Sequence, residues 1–432
     1  MAAELSAGAN RLEDGRCVMV RALLSLVLIG MLSGCGRTSG PSFGADAQAA
    51  SEAIATAYTT RLPASDPERH AIVLAQTVYG GTREENSAGA IILCSQNERL
   101  AFTAMNRITH MPVNAPMLYF KKDGSLSQAT KREMHRLHPD GVVQDGRIQV
   151  YVIGTPPSDV MRYIKYDLGY KVRQFPETDP VALAELLDRW QAAMKSDHPD
   201  EVIISAVDHT DGIAHGMGAM GWNAHMGKGF AWVMRDSVPE ATHRILARRF
   251  GQQGAYLYLT GGPDVISDRV AKELSRYGLV RRIQGDDVFA TNATNAGYKD
   301  FGRTLGWWWG WSARSFGWGI AQAGHNYIFV NPDHLLAAIP AVLLGHMGKH
   351  GPVLLVRQNE VPESVVRYLE MVRPFPSGPT ATIRNHAWII GDQAHLSWDV
   401  QKEIHRLLTP RGLELHSAAQ ETDPTPTGRS SR

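Results

Sequence analysis

Short runs of consecutive apolar residues recur along the chain, each followed by a polar turn and an amphipathic stretch. Ile91–Leu93, Pro116–Phe120 and Val150–Gly154 form a first group. Val202–Ile204, Phe230–Met234 and Tyr256–Gly261 form a second, and Tyr327–Val330, Pro352–Val356 and Ala387–Gly391 a third. Strands this short and continuously apolar predict a parallel sheet covered on both faces. Between them the periodicity is helical, opening on Leu126-Ser127-Gln128, Val238-Pro239-Glu240 and Val361-Pro362-Glu363 and again near Ser158, Ser267 and Ser397. Pro239 and Pro362 suit a first helical turn, and Glu240 and Glu363 complement the positive end of the helix.

The groups are copies of one unit. His110-Met111, His225-Met226 and His346-Met347 recur at spacings of 115 and 121 residues, each just before the second strand of its group. The fold class is therefore α/β, built from three tandem Rossmann-like modules with parallel sheets. The boundaries read as residues 67–180, 181–300 and 301–408, the last opening on a Trp-rich connector.

The N-terminus is of another kind. Arg21 precedes the apolar run Ala22–Leu32, then Ser33-Gly34-Cys35. A cation, a short apolar run and small residues make a secretory signal over residues 1–34, too short for a comfortable membrane span. Met19 is an alternative start, which makes residues 1–18 an extension. Leu32–Cys35 resembles a bacterial lipobox, which implies lipidation of Cys35 and a flexible tether over residues 35–66. Gly36 is not the Asp that signals inner-membrane retention, so the outer membrane is expected where two membranes exist. Residues 409–432 read as a disordered tail.

Composition narrows the chemistry. With 44 Lys+Arg against 43 Asp+Glu, and no basic block, nucleic acid is not an expected partner. Three cysteines build no disulfide framework, and Cys94 lies in an apolar run as a strand residue. The glycines at 261 and 262 lie in neither a dinucleotide fingerprint nor a P-loop, so no cofactor is expected. No nucleophile elbow occurs, and Asp286 and Asp287 point apart on an extended chain. The chain reads as a non-enzyme without a metal site, since no tight His pair or Cys pair accompanies Asp208, His209, Asp211 and His215.

The second module resembles the cell wall-binding repeat 2 family. Leu259–Ser267 matches its strand, Gly-Gly and helix-opening Ser, and Gly285–Thr291 matches its Gly-x-Asp-Arg-Tyr-x-Thr segment, with Val288 in place of Arg. Gly351–Leu355 and Ile389–Gly391 match in the third module. The resemblance spans about residues 70–408 and the family's usual three modules. It implies three units in a pseudo-threefold trefoil that holds a protein to anionic wall polymers without catalysis. The family's Gly after strand one and its later Asp are missing: Asn97 and Asp333 stand at the Gly-like position, with Asp211 at about the same place, and Phe102 and Ala338 where the Asp falls.

Two groups are candidate ligand contacts. Asn97, Asp211 and Asp333 lie just past the carboxyl end of a strand, where α/β sheets bind ligands; the competing role is helix capping. Trp308, Trp309, Trp311 and Arg314 offer indole faces for sugars and a cation for an anionic group; the competing role is an inter-module helix with one buried Trp stripe. The expected function is a non-catalytic envelope lipoprotein that binds a wall polymer or glycan and is held to the membrane by its lipid. A small-molecule receptor working with a transporter is the alternative, and an envelope hydrolase is weaker still.

Overall fold

A computed structural model of the chain describes residues 54–81, 86–195, 199–249, 254–305, 311–346, 351–376 and 383–412. The signal segment, Cys35 and the C-terminal tail from residue 413 lie outside the described residues, whereas Thr409 and Arg411, read as part of that tail, bond to the fold through His405 O and Pro374 O. In chain order the elements begin with β1 (Ile54–Ala55), β2 (Thr59–Leu62) and α1 (Pro67–Val78). The first module follows with β3 (Ile91–Ser95), α2 (Glu98–Ile108), β4 (Met117–Phe120), α3 (Gln128–Leu137), β5 (Val150–Ile153), α4 (Ser158–Arg162), β6 (Val172–Phe175) and α5 (Pro180–Lys195). The second has β7 (Glu201–Ala206), α6 (Gly212–Met226), β8 (Gly229–Val233), α7 (Glu240–Ala247), β9 (Ala255–Thr260), α8 (Asp268–Leu274), β10 (Gly278–Ile283) and α9 (Val288–Gly297). A ribbon of β11 (Asp300–Leu305) and β12 (Trp311–Phe316) leads to the third: β13 (Asn326–Val330), α10 (Leu335–Ala338) with a 3-10 extension to Gly345, β14 (Val353–Leu355), α11 (Glu363–Met371), β15 (His386–Ile390) and α12 (Trp398–Leu408).

The repeat is visible in the pairing. The sheets run β4-β3-β5-β6, β8-β7-β9-β10 and β14-β13-β15-β2-β1, so the strands of each module stand in the order two, one, three, four. Every pair is parallel except the terminal β1–β2 pair. The first three strands of each module are the apolar runs, and Ile91–Cys94, Phe230–Val233 and Tyr327–Val330 are all buried. Ser267 and Ser397 cap α8 and α12, accepting from Val270 N–H and Val400 N–H. Pro239 and Pro362 sit at the N-cap, one residue ahead of the first turn.

The third sheet takes its fourth strand from the start of the chain. β2 lies parallel to β15, with Ala387 opposite Thr59 and Ile390 opposite Leu62. This corrects the tether, which does not extend to residue 66. The segment carries no apolar run because its inward positions are Thr59 and Arg61, both buried. Arg61 donates through Nε to Gln401 (2.7 Å) and through its terminal nitrogens to the carbonyls of Gly391, Asp392 and Ser397 (2.8, 3.0 and 3.3 Å). A largely polar strand is thus locked in by hydrogen bonds, with Leu62 adding buried hydrocarbon at its end.

The helix after each fourth strand crosses to the next module: α5 packs on β8, α9 on β14 and α1 on β4. Each opens with an aspartate cap, Asp179 on Ala182 N–H, Asp287 on Ala290 N–H and Asp66 on Arg69 N–H (2.8, 2.7 and 3.0 Å). The helices after the first strands, α2, α6 and α10 with its 3-10 extension, pack against one another in the middle. The three modules thereby close into a ring.

Replacing Arg61 by Ala leaves four buried acceptors without their donor, and we expect a loss of ~3 kcal/mol in urea unfolding. An unchanged midpoint would show that β2 does not hold the third sheet together.

Candidate functional site

The carboxyl ends of the three sheets are where a doubly covered parallel sheet presents loops to a ligand. Helices α2 and α6 run in step, so these ends share a side. At the start of α2 Arg99 Nε donates to Val207 O just past β7 (2.8 Å), in the last turns Asn223 Nδ2 donates to Asn106 O (2.9 Å), and at the ends Gly227 abuts the His110 ring.

The expected triad does three different jobs. Asn97 caps α2, its side chain accepting from Leu100 N–H at 3.1 Å. Asp211 precedes α6 without a side-chain cap, and its N–H donates to His209 Nδ1 (3.1 Å). Asp333 lies in the 3-10 turn Pro332–His334, where Asn331 supplies the cap instead, accepting from Asp333 N–H at 2.9 Å. The capping role therefore belongs to one triad member, and Asp333 is released to face solvent. Asp333 borders a hollow of about 300 Å³, shared with Asn331, Pro332, Arg357, Gln358, Asn359, Glu360 and Phe289 of α9. Neither Asn97 nor Asp211 reaches it.

The Trp-rich segment is not an inter-module helix. Its flanks pair antiparallel, Asp300 with Phe316 and Leu305 with Trp311, as a separate two-stranded ribbon. The aromatic residues and Thr304 of the two flanks favour the extended chain over a helical stripe. The ribbon is fixed at its base, where Phe316 stacks flat on Tyr258 (3.5 Å between centroids) and Tyr258 Oη donates to Asp300 (2.9 Å). Trp308 and Trp309 lie outside the described residues, and only the backbone of Trp311 and Arg314 is described, on β12. Trp318 turns inward and stacks on His225.

A histidine cluster that the sequence reading missed lies at the crest of the third module. His395, in the turn after β15, packs against His334 and His70 (centroids 4.2 and 4.9 Å apart), and its Nδ1 meets Asp392 Oδ1 at 2.8 Å. The Gly391-Asp392 turn followed by His395 was the available signal, but His70 comes from α1, some 300 residues away in sequence. His70 is buried and its Nε2 has no partner. Burial, helped by the neighbouring His395, pushes its pKa down to about 3, against the weaker pull of Asp392. In the second module His215 bonds Thr291 Oγ1 (3.0 Å) and is likewise lowered by burial, with Asp211, Asp264 and Asp287 opposing.

The recurring His110 and His346 meet at the opposite pole, their rings 5.4 Å apart, with His346 Nε2 on Asn114 Oδ1 (3.1 Å). Among the described residues no group of three or more His, Cys, Asp or Glu is disposed to hold a metal ion. The crest is rich in exposed acids, with Asp208, Asp211, Asp264 and Asp333 at the strand ends of modules two and three.

The fold and its crest define a three-module α/β protein of tandem parallel-sheet units. No protein-family model matches the chain, and no curated protein matches it. Among solved structures it is similar to Cwp6 from Clostridium difficile, with TM-score 0.57 and 15% identity over 78% of this chain and 46% of that one. It is also similar to Cwp8 from the same organism, with TM-score 0.59 and 16% identity over 90% and 55%. The chain spans about half the length of these proteins. At such identity the likeness is one of fold.

His70 ties stability to pH. Its pKa falls from 6.5 unfolded to about 3 folded, so its contribution is complete above pH 6.5 and is lost as pH falls towards 3. At pH 5 the cost is about 2 kcal/mol. Urea unfolding at pH 8 and pH 5 should show a difference that shrinks by about that amount in His70→Gln. An undiminished difference would remove His70 as its source.

Proposed function

We propose that this chain is a non-catalytic protein of the cell envelope that binds a wall polymer or glycan through its three linked modules. The observation that carries the reading is the ring of three parallel-sheet modules, an architecture similar to that of Cwp6 and Cwp8, both cell-wall proteins. Several weak contacts on rigidly linked modules give retention that no single contact supplies. The open, polar-rimmed hollow beside Asp333 suits a chain-like ligand better than the closed apolar cleft a small-molecule receptor needs.

Lipidation at Cys35 is the anchor in this proposal, with an outer-membrane position where there are two membranes. Among the described residues no helix is long and apolar enough to cross a membrane. Trp308, Trp309, Trp311 and Arg314 are assigned a second contact, in which indole faces stack on sugar rings and the guanidinium meets an anionic group. What supports this assignment is that the flanking strands pair as a two-stranded sheet separate from the three module sheets.

The test is sedimentation of the full-length protein, solubilised in mild detergent, with purified envelope fractions. The wild type should bind saturably. A variant with Trp308, Trp309 and Trp311 changed to Ala should bind about a hundredfold more weakly while keeping its circular dichroism, since three lost stacking contacts at ~1 kcal/mol each total ~3 kcal/mol. Failure of the wild type to bind any fraction would overturn the function. Equal binding by the folded variant would move the contact off the ribbon.

A further inference from the structure

The hollow at the junction of the second and third modules carries a more specific chemistry. We propose that it is a saccharide subsite for a neutral or amine-bearing sugar of the envelope glycan, and that a phosphodiester or uronate polyanion is not its ligand. The inference rests on the envelope-binding function above and names the sugar class that function uses at this place.

Its volume of about 300 Å³ lies at the lower end of ligand-pocket sizes and accommodates one or two sugar rings. A sugar offers a face of C–H groups and a rim of hydroxyls. It is held by a flat apolar or delocalised surface below and planar polar groups at the side. The hollow supplies both. Arg357 Cζ lies over the Phe289 ring, 4.3 Å from its centroid, and Nε donates to Glu360 at 3.2 Å. Phe289 and Glu360 bias the half-exposed guanidinium towards this position, which lowers the ordering cost of a long side chain.

The rim consists of Asp333, Gln358 and Asn359. Among the described residues none of these three side chains makes a hydrogen bond or an ion pair, although their backbones are engaged: Asp333 N–H donates to Asn331 Oδ1 and Gln358 O accepts from Ser397 N–H. A carboxylate and two amides thus converge on one concavity with their polar atoms unspent. The carboxylate can accept from two neighbouring hydroxyls or from an ammonium group, and each amide can both donate and accept. The hollow is also pinned between modules, because Phe289 comes from α9 and the rest from the ends of β13 and β14.

Charge selects the class. The lining holds Asp333 and Glu360 against Arg357 alone, and Arg357 is already paired with Glu360. Nearby, Asp392 is paired with His395 and Asp287 caps α9, so the excess of acid over base is that of the lining itself. A polymer with a negative charge on every unit would meet repulsion here, whereas a neutral sugar would not and an amino sugar would be drawn in.

The experiment is calorimetric titration of the full-length protein in detergent with three probes: an N-acetylglucosamine tetramer, the de-acetylated glucosamine tetramer and poly(glycerol phosphate). Wild type should bind at least one tetramer about tenfold or more tighter than the polyanion at equal salt. Asp333→Asn and Asn359→Ala should each weaken that tetramer by about three- to tenfold, the range for one hydrogen bond, with an unchanged melting temperature. Glucosamine binding should fall further in Asp333→Asn than N-acetylglucosamine binding does. Tighter binding of poly(glycerol phosphate), or tetramer binding untouched by both variants, would overturn the subsite. If neither tetramer binds while envelope fractions still do, the sugar class is wrong and the envelope function stands. If envelope fractions also fail, both fall together.

Discussion

The closeness of the three central helices governs the architecture. Helix α6 lies between the other two, and it carries glycines where they approach. A Cβ on Gly216 would lie 2.7 Å from the Phe102 ring of α2, and one on Gly221 would lie 3.2 Å from Val353 of the third module. At this spacing side chains bond directly across the modules: Asn223 reaches Asn106, and Trp232 Nε1 donates to Thr103 Oγ1 at 2.8 Å. Glycine in a helix interior costs about 1 kcal/mol in intrinsic propensity. The contacts made possible by the missing Cβ offset that cost. Because the helices pack in step, the strand ends of all three sheets open on one side.

Buried charge decides which surfaces meet. Asp188 of α5 is wholly buried between Arg107 of α2 and Arg249, with Arg248 also in contact (3.2, 2.5 and 2.9 Å). Burial alone would raise its pKa, but Arg249 and Arg107 outweigh that and hold it at about 2. Such a network adds little net stability over a hydrophobic substitute, yet a mispaired interface would strand an uncompensated charge. Arg61 plays a comparable part at the other closure. The ring is thus sealed at two joints by groups that tolerate only one partner arrangement.

The same arrangement separates stability from recognition at the crest. Asn97 and Asn331 are occupied as caps, and His70 and His395 are buried against each other. Asp333, Gln358 and Asn359 remain as polar groups not needed to hold the fold. The acid excess around them bears on the family resemblance, which implies anionic polymers as ligands. A shared scaffold with a different charge on its loops is compatible with a different sugar chemistry.

Much of the architecture was legible in the sequence. Nine apolar runs with helical stretches between them are enough to define three parallel-sheet modules, because burial on both faces demands continuous hydrocarbon. The serine caps of α8 and α12 were legible for a similar reason, since an N-cap needs only its own neighbours in sequence. What escaped was everything non-local. Thr59 and Arg61 lack an apolar signature, and their place in the third sheet exists only through partners more than 300 residues away. The Trp-rich segment could be scored as a stripe or a strand, and the pairing of its two flanks decided it. Asp333 was visible as a residue past a strand end, but Arg357 and Asn359 join it only when β14 pairs with β13, and Phe289 only after α9 crosses to the next module. Local sequence determined the elements and their repetition, because propensity and burial act over a few residues. Tertiary structure decided which groups remain unspent at the crest, because that depends on which distant side chains have already satisfied the others.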